Sequence, residues 1–279
     1  MSSAVFSTSA AQGRPFVFED EAVPDVCFDQ SQIKNKLSKM LPVCVTPASL
    51  LAVRSAPEMV SSGIAAMDAL TGGLPRGCLT EICGPASSGR TTLLLSALAA
   101  ATRRGEFCAV VDAGDALDPQ SATAVGIELD RLLWVRCGEG SGHAEKNLEQ
   151  LLRAADLLLE SGGLGLIALD LGDLPPQTAR RIPLATWFRF HRVVEHTPTV
   201  LLAIERQSIA GSCSSLLINL ASAGNRLGEL RIDSRLVPPT HAQLLTGLEI
   251  TAELVKSRVD RKPPRSTEIT FGSKTAWAG

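Results

Sequence analysis

From residue 62 onward the chain alternates short, mainly apolar runs with longer stretches in which apolar residues recur every three or four positions. Runs of the first kind cover 78–83, 107–112, 132–137, 164–170 and 199–205 and read as strands buried on both faces. The stretches 91–104, 119–126, 144–160 and 178–195 carry helical spacing. Such alternation predicts an α/β fold with a mainly parallel central sheet and helices on both faces. Further on, 227–235, 248–258 and 267–271 alternate apolar and polar residues with no helix between them, which predicts antiparallel strands extending the sheet.

The first 31 residues show no sustained period and read as a mobile arm. Over 32–41, Ile33, Leu37 and Leu41 fall at four-residue spacing with Lys34, Lys36 and Lys39 off that stripe, a short amphipathic helix ended by Pro42. The expected organisation is an arm with this helix over 1–61, a core over 62–259, and a strand with a basic tail over 260–279.

Composition narrows the class. A chain of 279 residues with 45% hydrophobic content can bury the core of one large domain. The Ser/Ala-rich start lacks a basic segment followed by an apolar run, so a cytoplasmic protein with no membrane partner is expected. The seven cysteines form no C-x-x-C pair, which argues against a disulfide framework or a structural zinc. Residues 1–170 hold 13 Lys/Arg against 20 Asp/Glu and the remainder 14 against 9, so the C-terminal part is basic. A nucleic-acid surface and a solvated face both fit that asymmetry. Without tyrosine, and with three tryptophans, base stacking on aromatic platforms is not expected.

One motif carries chemistry. Gly84-Pro85-Ala86-Ser87-Ser88-Gly89-Arg90-Thr91-Thr92 satisfies the phosphate-loop pattern G-x-x-x-x-G-K-[ST] except that arginine replaces lysine. Glycines let backbone N–H groups curl around a polyphosphate, and the hydroxyl of Thr91 binds magnesium. Arginine keeps the charge but is longer, planar and forked, so binding is more secure than hydrolysis. About eighty residues on, Asp170 ends an apolar run and is the candidate second ligand of the magnesium.

These residues carry a resemblance. Ser62 to Gly77, Glu81 to Thr92, and Val111-Asp112-Ala113-Gly114-Asp115-Ala116-Leu117-Asp118-Pro119 resemble the ATPase core of the RecA recombinase family. The resemblance implies ATP and Mg²⁺ as cofactors, Asp118 as a contact to the adenine, and Lys256 and Arg258 as cations that reach a neighbouring subunit's nucleotide. It also marks departures. Gly114 stands where the family has its water-activating glutamate, and Ser121 where it has a tyrosine over the base. The two segments that follow the strands ending at Asp170 and Glu205 are the family's DNA loops, and both look shortened here. A helix bearing Arg180, Arg181, Arg189 and Arg192, and the tail residues Arg261, Lys262 and Arg265, are the candidate contacts to DNA or a partner.

With its altered loop and trimmed DNA segments the chain resembles the ImuA branch of that family. That resemblance implies an accessory or scaffold role in damage-induced translesion synthesis, with a RecA-type recombinase subunit or a second copy of the chain, and an inactive Y-family polymerase homologue, as partners and little or no ATP turnover. The competing expectation is an active, DNA-binding ATP-dependent recombinase in which Arg90 serves as the lysine and Asp115, or a residue supplied in trans, as the base.

Overall fold

In a computed structural model of the chain, described over residues 56–137, 143–227, 245–259 and 268–274 together with Asn35 and Lys39, two units separate at residue 54. Asn35 and Lys39 are helical, and the rest of the amphipathic segment lies outside the described residues. The tail residues Arg261, Lys262 and Arg265 also lie outside them.

The second unit is built on an eight-stranded sheet. Its strands are β3 (Cys78–Cys83), β4 (Cys108–Asp112), β5 (Leu132–Arg136), β6 (Leu166–Asp170), β7 (Val200–Glu205), β8 (Leu216–Leu227), β9 (Leu245–Ser257) and β10 (Glu268–Lys274), in the order β10-β9-β8-β3-β7-β6-β4-β5. Strands β8, β3, β7, β6, β4 and β5 run parallel, while β9 and β10 add antiparallel to β8. A two-stranded antiparallel pair, β1 (Met59–Val60) and β2 (Leu74–Pro75), flanks α1 (Ala65–Thr71).

Period two divides the strand residues between two apolar layers. Ile82, Val110, Ala168, Leu202 and Ile204 pack with α2 (Arg90–Arg103), α3 (Pro119–Val125) and α1. Leu79, Val111, Ile167, Leu169, Leu201 and Ala203 pack on the other face with α4 (Ala144–Ser161) and α6 (Leu184–Val194), and the short α5 (Pro176–Ala179) meets α4. In that second layer Trp187 and Phe190, one turn apart on α6, are fully buried and meet edge to face at 6.1 Å between ring centroids.

Two expectations change. The helix expected over 178–195 is broken: α5 ends at Ala179, Pro183 caps α6, and Arg180 and Arg181 fall in the turn between. The proline ring cannot continue a helix begun before it. The strand expected over 227–235 begins earlier, because β8 occupies Leu216–Leu227, and its stretch beyond 227 lies outside the described residues. Leu216, Ile218 and Leu220 bury one face of that strand, although Ser222, Gly224 and Asn225 obscure the alternation in the sequence.

The parallel register places Cys83, Asp112, Asp170 and Glu205 at one end of the sheet. The segments after β3, β4, β6 and β7 therefore emerge side by side, which is where ligands of open α/β sheets bind.

Truncating Phe190 to alanine removes a ring with no exposed surface from the second layer. The expected loss is about 3–5 kcal/mol of unfolding free energy, read from denaturant midpoints.

Candidate functional site

The loop between β3 and α2 is held from below. Gly84 N–H donates to the backbone oxygen of Glu205 at 3.2 Å, and Ser88 N–H to that of Pro85 at 3.3 Å. Ser87 takes the left-handed conformation at φ 60°, as does Gly89 at φ 94° where it caps α2. A Cβ on Gly89 would run into the side chain of Ile250 on β9, so glycine is required there for space as well as for φ. A Cβ on Gly84 would likewise meet Leu220 O and Ser88 Oγ.

The geometry fits a polyphosphate. Ser88 has no exposed surface, and its hydroxyl is without a hydrogen-bond partner. Nη1 of Arg90 is also buried and unpartnered. Helix α2 begins at Arg90, so the first-turn N–H groups of a 14-residue helix face the loop. Thr91 is exposed in that turn, and Asp170 ends β6. These two side chains would hold a divalent cation, which would supply charge neutralisation beside the phosphates. Pro85 and Thr92 complete the loop as its exposed rim and its third helical residue.

Arg90 lies close to the loop after β6. A Cβ on Gly172 would fall 2.8 Å from Nη1 of Arg90 and 3.0 Å from Oδ1 of Asp170, so this glycine makes room for a side chain longer than lysine. Burial pulls the guanidinium down from its usual value, and the carboxylates of Asp170 and Asp173 oppose that pull. Burial, with Asp112 and Asp173 nearby, raises the Asp170 carboxyl to about 6, although Gly172 N–H and Arg90 act the other way. Gly172 N–H donates to Asp170 Oδ1 at 2.9 Å.

The remaining acids are committed elsewhere. Asp112 is buried and accepts from Gly114 N–H at 3.0 Å, Leu117 N–H at 2.9 Å and Trp134 Nε1 at 3.3 Å, shaping the segment after β4. Asp115, at φ 56°, gives both oxygens to Arg136 at 2.5 and 2.6 Å, which holds its carboxyl below the usual range. A carboxylate engaged this way accepts a proton poorly. Asp118 caps α3 through Gln120 N–H at 3.2 Å and Ser121 N–H at 2.9 Å, and the Ser121 hydroxyl donates to it at 2.6 Å. The adenine-contact candidate is thus also a helix cap.

The candidate cations are likewise bound to their own chain. Lys256 Nζ donates to Gly211 O at 2.6 Å and Arg258 Nη1 to Ser212 O at 2.8 Å, tying β9 to the turn after β7. Arg180 meets Gln207, Arg181 meets Glu145, and Arg189 makes two bonds to Asp156 at 3.0 and 2.8 Å. Arg192 is exposed on α6.

Beneath the phosphate loop lies a buried pair that the sequence reading passed over. Glu81 accepts from the Ser208 hydroxyl and from the N–H groups of Ile209 and Ala210, anchoring the segment after β7. Glu205 is 1% exposed, and neither of its oxygens has a hydrogen-bond partner. Burial first, then Glu81, pushes its carboxyl well above the ordinary glutamate value. Cys83 lies with them, all three ligand atoms within 4.8 Å of one another, and burial keeps its thiol protonated. A glutamate inside each of two otherwise apolar runs was the available signal.

Comparison with known proteins places this geometry. Residues 49–178 match the model of the RecA N-terminal domain. The core is RecA-like. Protein RecA of Acinetobacter baylyi is 39% identical over 142 residues, covering 50% of this chain and 37% of that protein. Protein RecA of Leifsonia xyli subsp. xyli is 44% identical over 119 residues, covering 42% and 31%. The match thus spans only about a third of these relatives' length. Among the described residues no helix is long and apolar enough to cross a membrane.

The raised carboxyl of Glu205 has a testable sign. An ordinary glutamate releases its proton at about 4.3, whereas burial makes folded Glu205 hold its proton to higher pH. Stability from protonated Glu205 is complete below that ordinary value and is lost as pH rises, by up to about 1.4 kcal/mol per unit. Glu205→Gln has no proton to lose. Its melting temperature should exceed that of the wild type by a margin that widens from pH 5 to pH 8, and a constant margin would show that Glu205 is already ionised.

Proposed function

We propose that this chain is an accessory protein of DNA-damage-induced translesion synthesis, similar to the ImuA branch of RecA relatives, whose nucleotide-bound state controls docking. Its partners would be a RecA-type recombinase subunit and the inactive Y-family polymerase homologue of the mutagenesis cassette. One observation carries the proposal: in a core otherwise RecA-like, the place of the water-activating glutamate is Gly114 and the place of the phosphate-loop lysine is Arg90. A positioned base contributes about 10²–10⁴ in rate, so the family's usual route of hydrolysis is closed at that position.

The nucleotide would be ATP, held by Gly84, Pro85, Ser87, Ser88, Gly89, Arg90, Thr91 and Thr92, with Mg²⁺ at Thr91 and Asp170 and the adenine beside Asp118. The pairing of Arg180, Arg181 and Arg189 within the chain supports protein docking ahead of direct DNA binding, because a phosphate contact would first have to break those pairs. Lys256 and Arg258 sit at the turn 211–213 and would release it to reach a neighbour's nucleotide.

The test is co-purification of the full chain with the RecA recombinase and the polymerase homologue of the same genome, with a non-hydrolysable ATP analogue present or absent. The expected outcome is a complex that strengthens at least about tenfold with the analogue, and loses that gain in Gly89→Ala, whose new methyl group would collide with Ile250. Phosphate release stimulated by single-stranded DNA, with no complex, would instead identify an active recombinase-type ATPase.

A further inference from the structure

The segment after β6 carries a carboxylate where the segment after β4 lacks one. A Cβ on Gly114 would lie 2.7 Å from the Cβ of Asp173 and 2.8 Å from its Oδ2. The side chain of Asp173 therefore fills the space from which a residue at 114 would project. Both positions are exposed to solvent. Among the described residues no hydrogen bond or ion pair engages Asp173, whereas Asp112 and Asp115 are committed to partners and Asp170 accepts from Gly172 N–H. Asp173 acts on Arg90 and Asp170 as a neighbouring charge, which places it at the same cluster.

Its backbone is fixed. Arg206 Nε donates to Gly172 O at 2.9 Å, and Leu174 N–H to Leu171 O at 3.1 Å, so the turn bearing Asp173 is tied on both sides. Two exchanges of volume are then visible side by side. Gly172 yields space to the longer Arg90, and Gly114 yields space to Asp173.

We propose that Asp173 is the carboxylate that orients and deprotonates the attacking water when a nucleoside triphosphate is held by the phosphate loop. The inference rests on the triphosphate-binding part of the function proposed above, and it adds a slow turnover that resets docking. In the step, the water oxygen bonds to the terminal phosphorus and the bond from that phosphorus to the bridging oxygen breaks. The bridging oxygen leaves with the electron pair on the diphosphate. The proton passes to Asp173 and then to solvent.

Wild type, Asp173→Asn and the double variant Gly114→Glu/Asp173→Gly are compared as full chains with ATP and magnesium. Affinity is measured by calorimetry, and the nucleotide left on the protein after a single-turnover incubation is identified by chromatography. The expected result is affinity unchanged within about threefold, conversion of bound triphosphate to diphosphate by the wild type, and conversion slowed at least about 100-fold in Asp173→Asn. The double variant moves the carboxylate to position 114 and removes the Cβ at 173 that would block it, so it should regain conversion over Asp173→Asn.

Undiminished conversion in Asp173→Asn overturns the proposal. So does a fall in affinity that matches the fall in rate, which would make Asp173 a counter-ion of Arg90. ATP binding by the wild type without conversion overturns this inference alone, whereas absence of binding overturns the triphosphate reading with it.

Discussion

The parallel ladder of β3, β7, β6 and β4 is the constraint on which the rest depends. Its register brings four polar residues, Cys83, Glu205, Asp170 and Asp112, to one end of the sheet. Three of them are carboxylic acids at least partly withdrawn from water, and a buried ionised acid is costly unless paired or hydrogen-bonded. Each is handled differently: Asp112 by three donors, Asp170 by one amide and a nearby guanidinium, and Glu205 by burial that favours its protonated form. The phosphate loop is suspended over this cluster through the bond from Gly84 N–H to Glu205 O.

Arg90 is best understood within that charge balance. A compact ammonium would be a point charge, whereas the forked guanidinium reaches toward Gly172 and shares the field of Asp170 and Asp173. The exchange is local in space though spread along the chain, because residues 90, 114 and 170–173 belong to three neighbouring segments. Substituting one of them without its spatial partner leaves a collision or an unneutralised charge. The same economy governs the outer cations, since Lys256, Arg258, Arg180, Arg181 and Arg189 all hold groups of their own chain. A surface with those cations engaged binds a phosphate backbone less readily than the basic balance of residues 171–279 suggests.

Much of this was legible in the pattern of residues. The apolar runs at β3, β4, β6 and β7 gave their strands to within two residues, and the glycines of the phosphate loop marked the turn into α2. Asp170 stood out because nothing else charged lies in its run. The bend at Pro183 and the early start of β8 were misplaced for local reasons: the helical spacing of apolar residues over 178–195 masked a proline, and Ser222, Gly224 and Asn225 masked a strand. Glu81, Glu205 and Asp173 were passed over because a lone acid in an apolar run, or just after one, has no meaning until its neighbours are known.

What the residues alone determine is whatever depends on chain neighbours: strand period, helix spacing, the curl of a glycine loop and the absence of a carboxylate at position 114. Tertiary structure alone decides what fills the space so vacated, because the side chain that does so, Asp173, is 59 positions away in the sequence, yet its Cβ stands 2.7 Å from where a Cβ at 114 would be. Sheet register sets that proximity, and register is a property of paired strands rather than of any one segment.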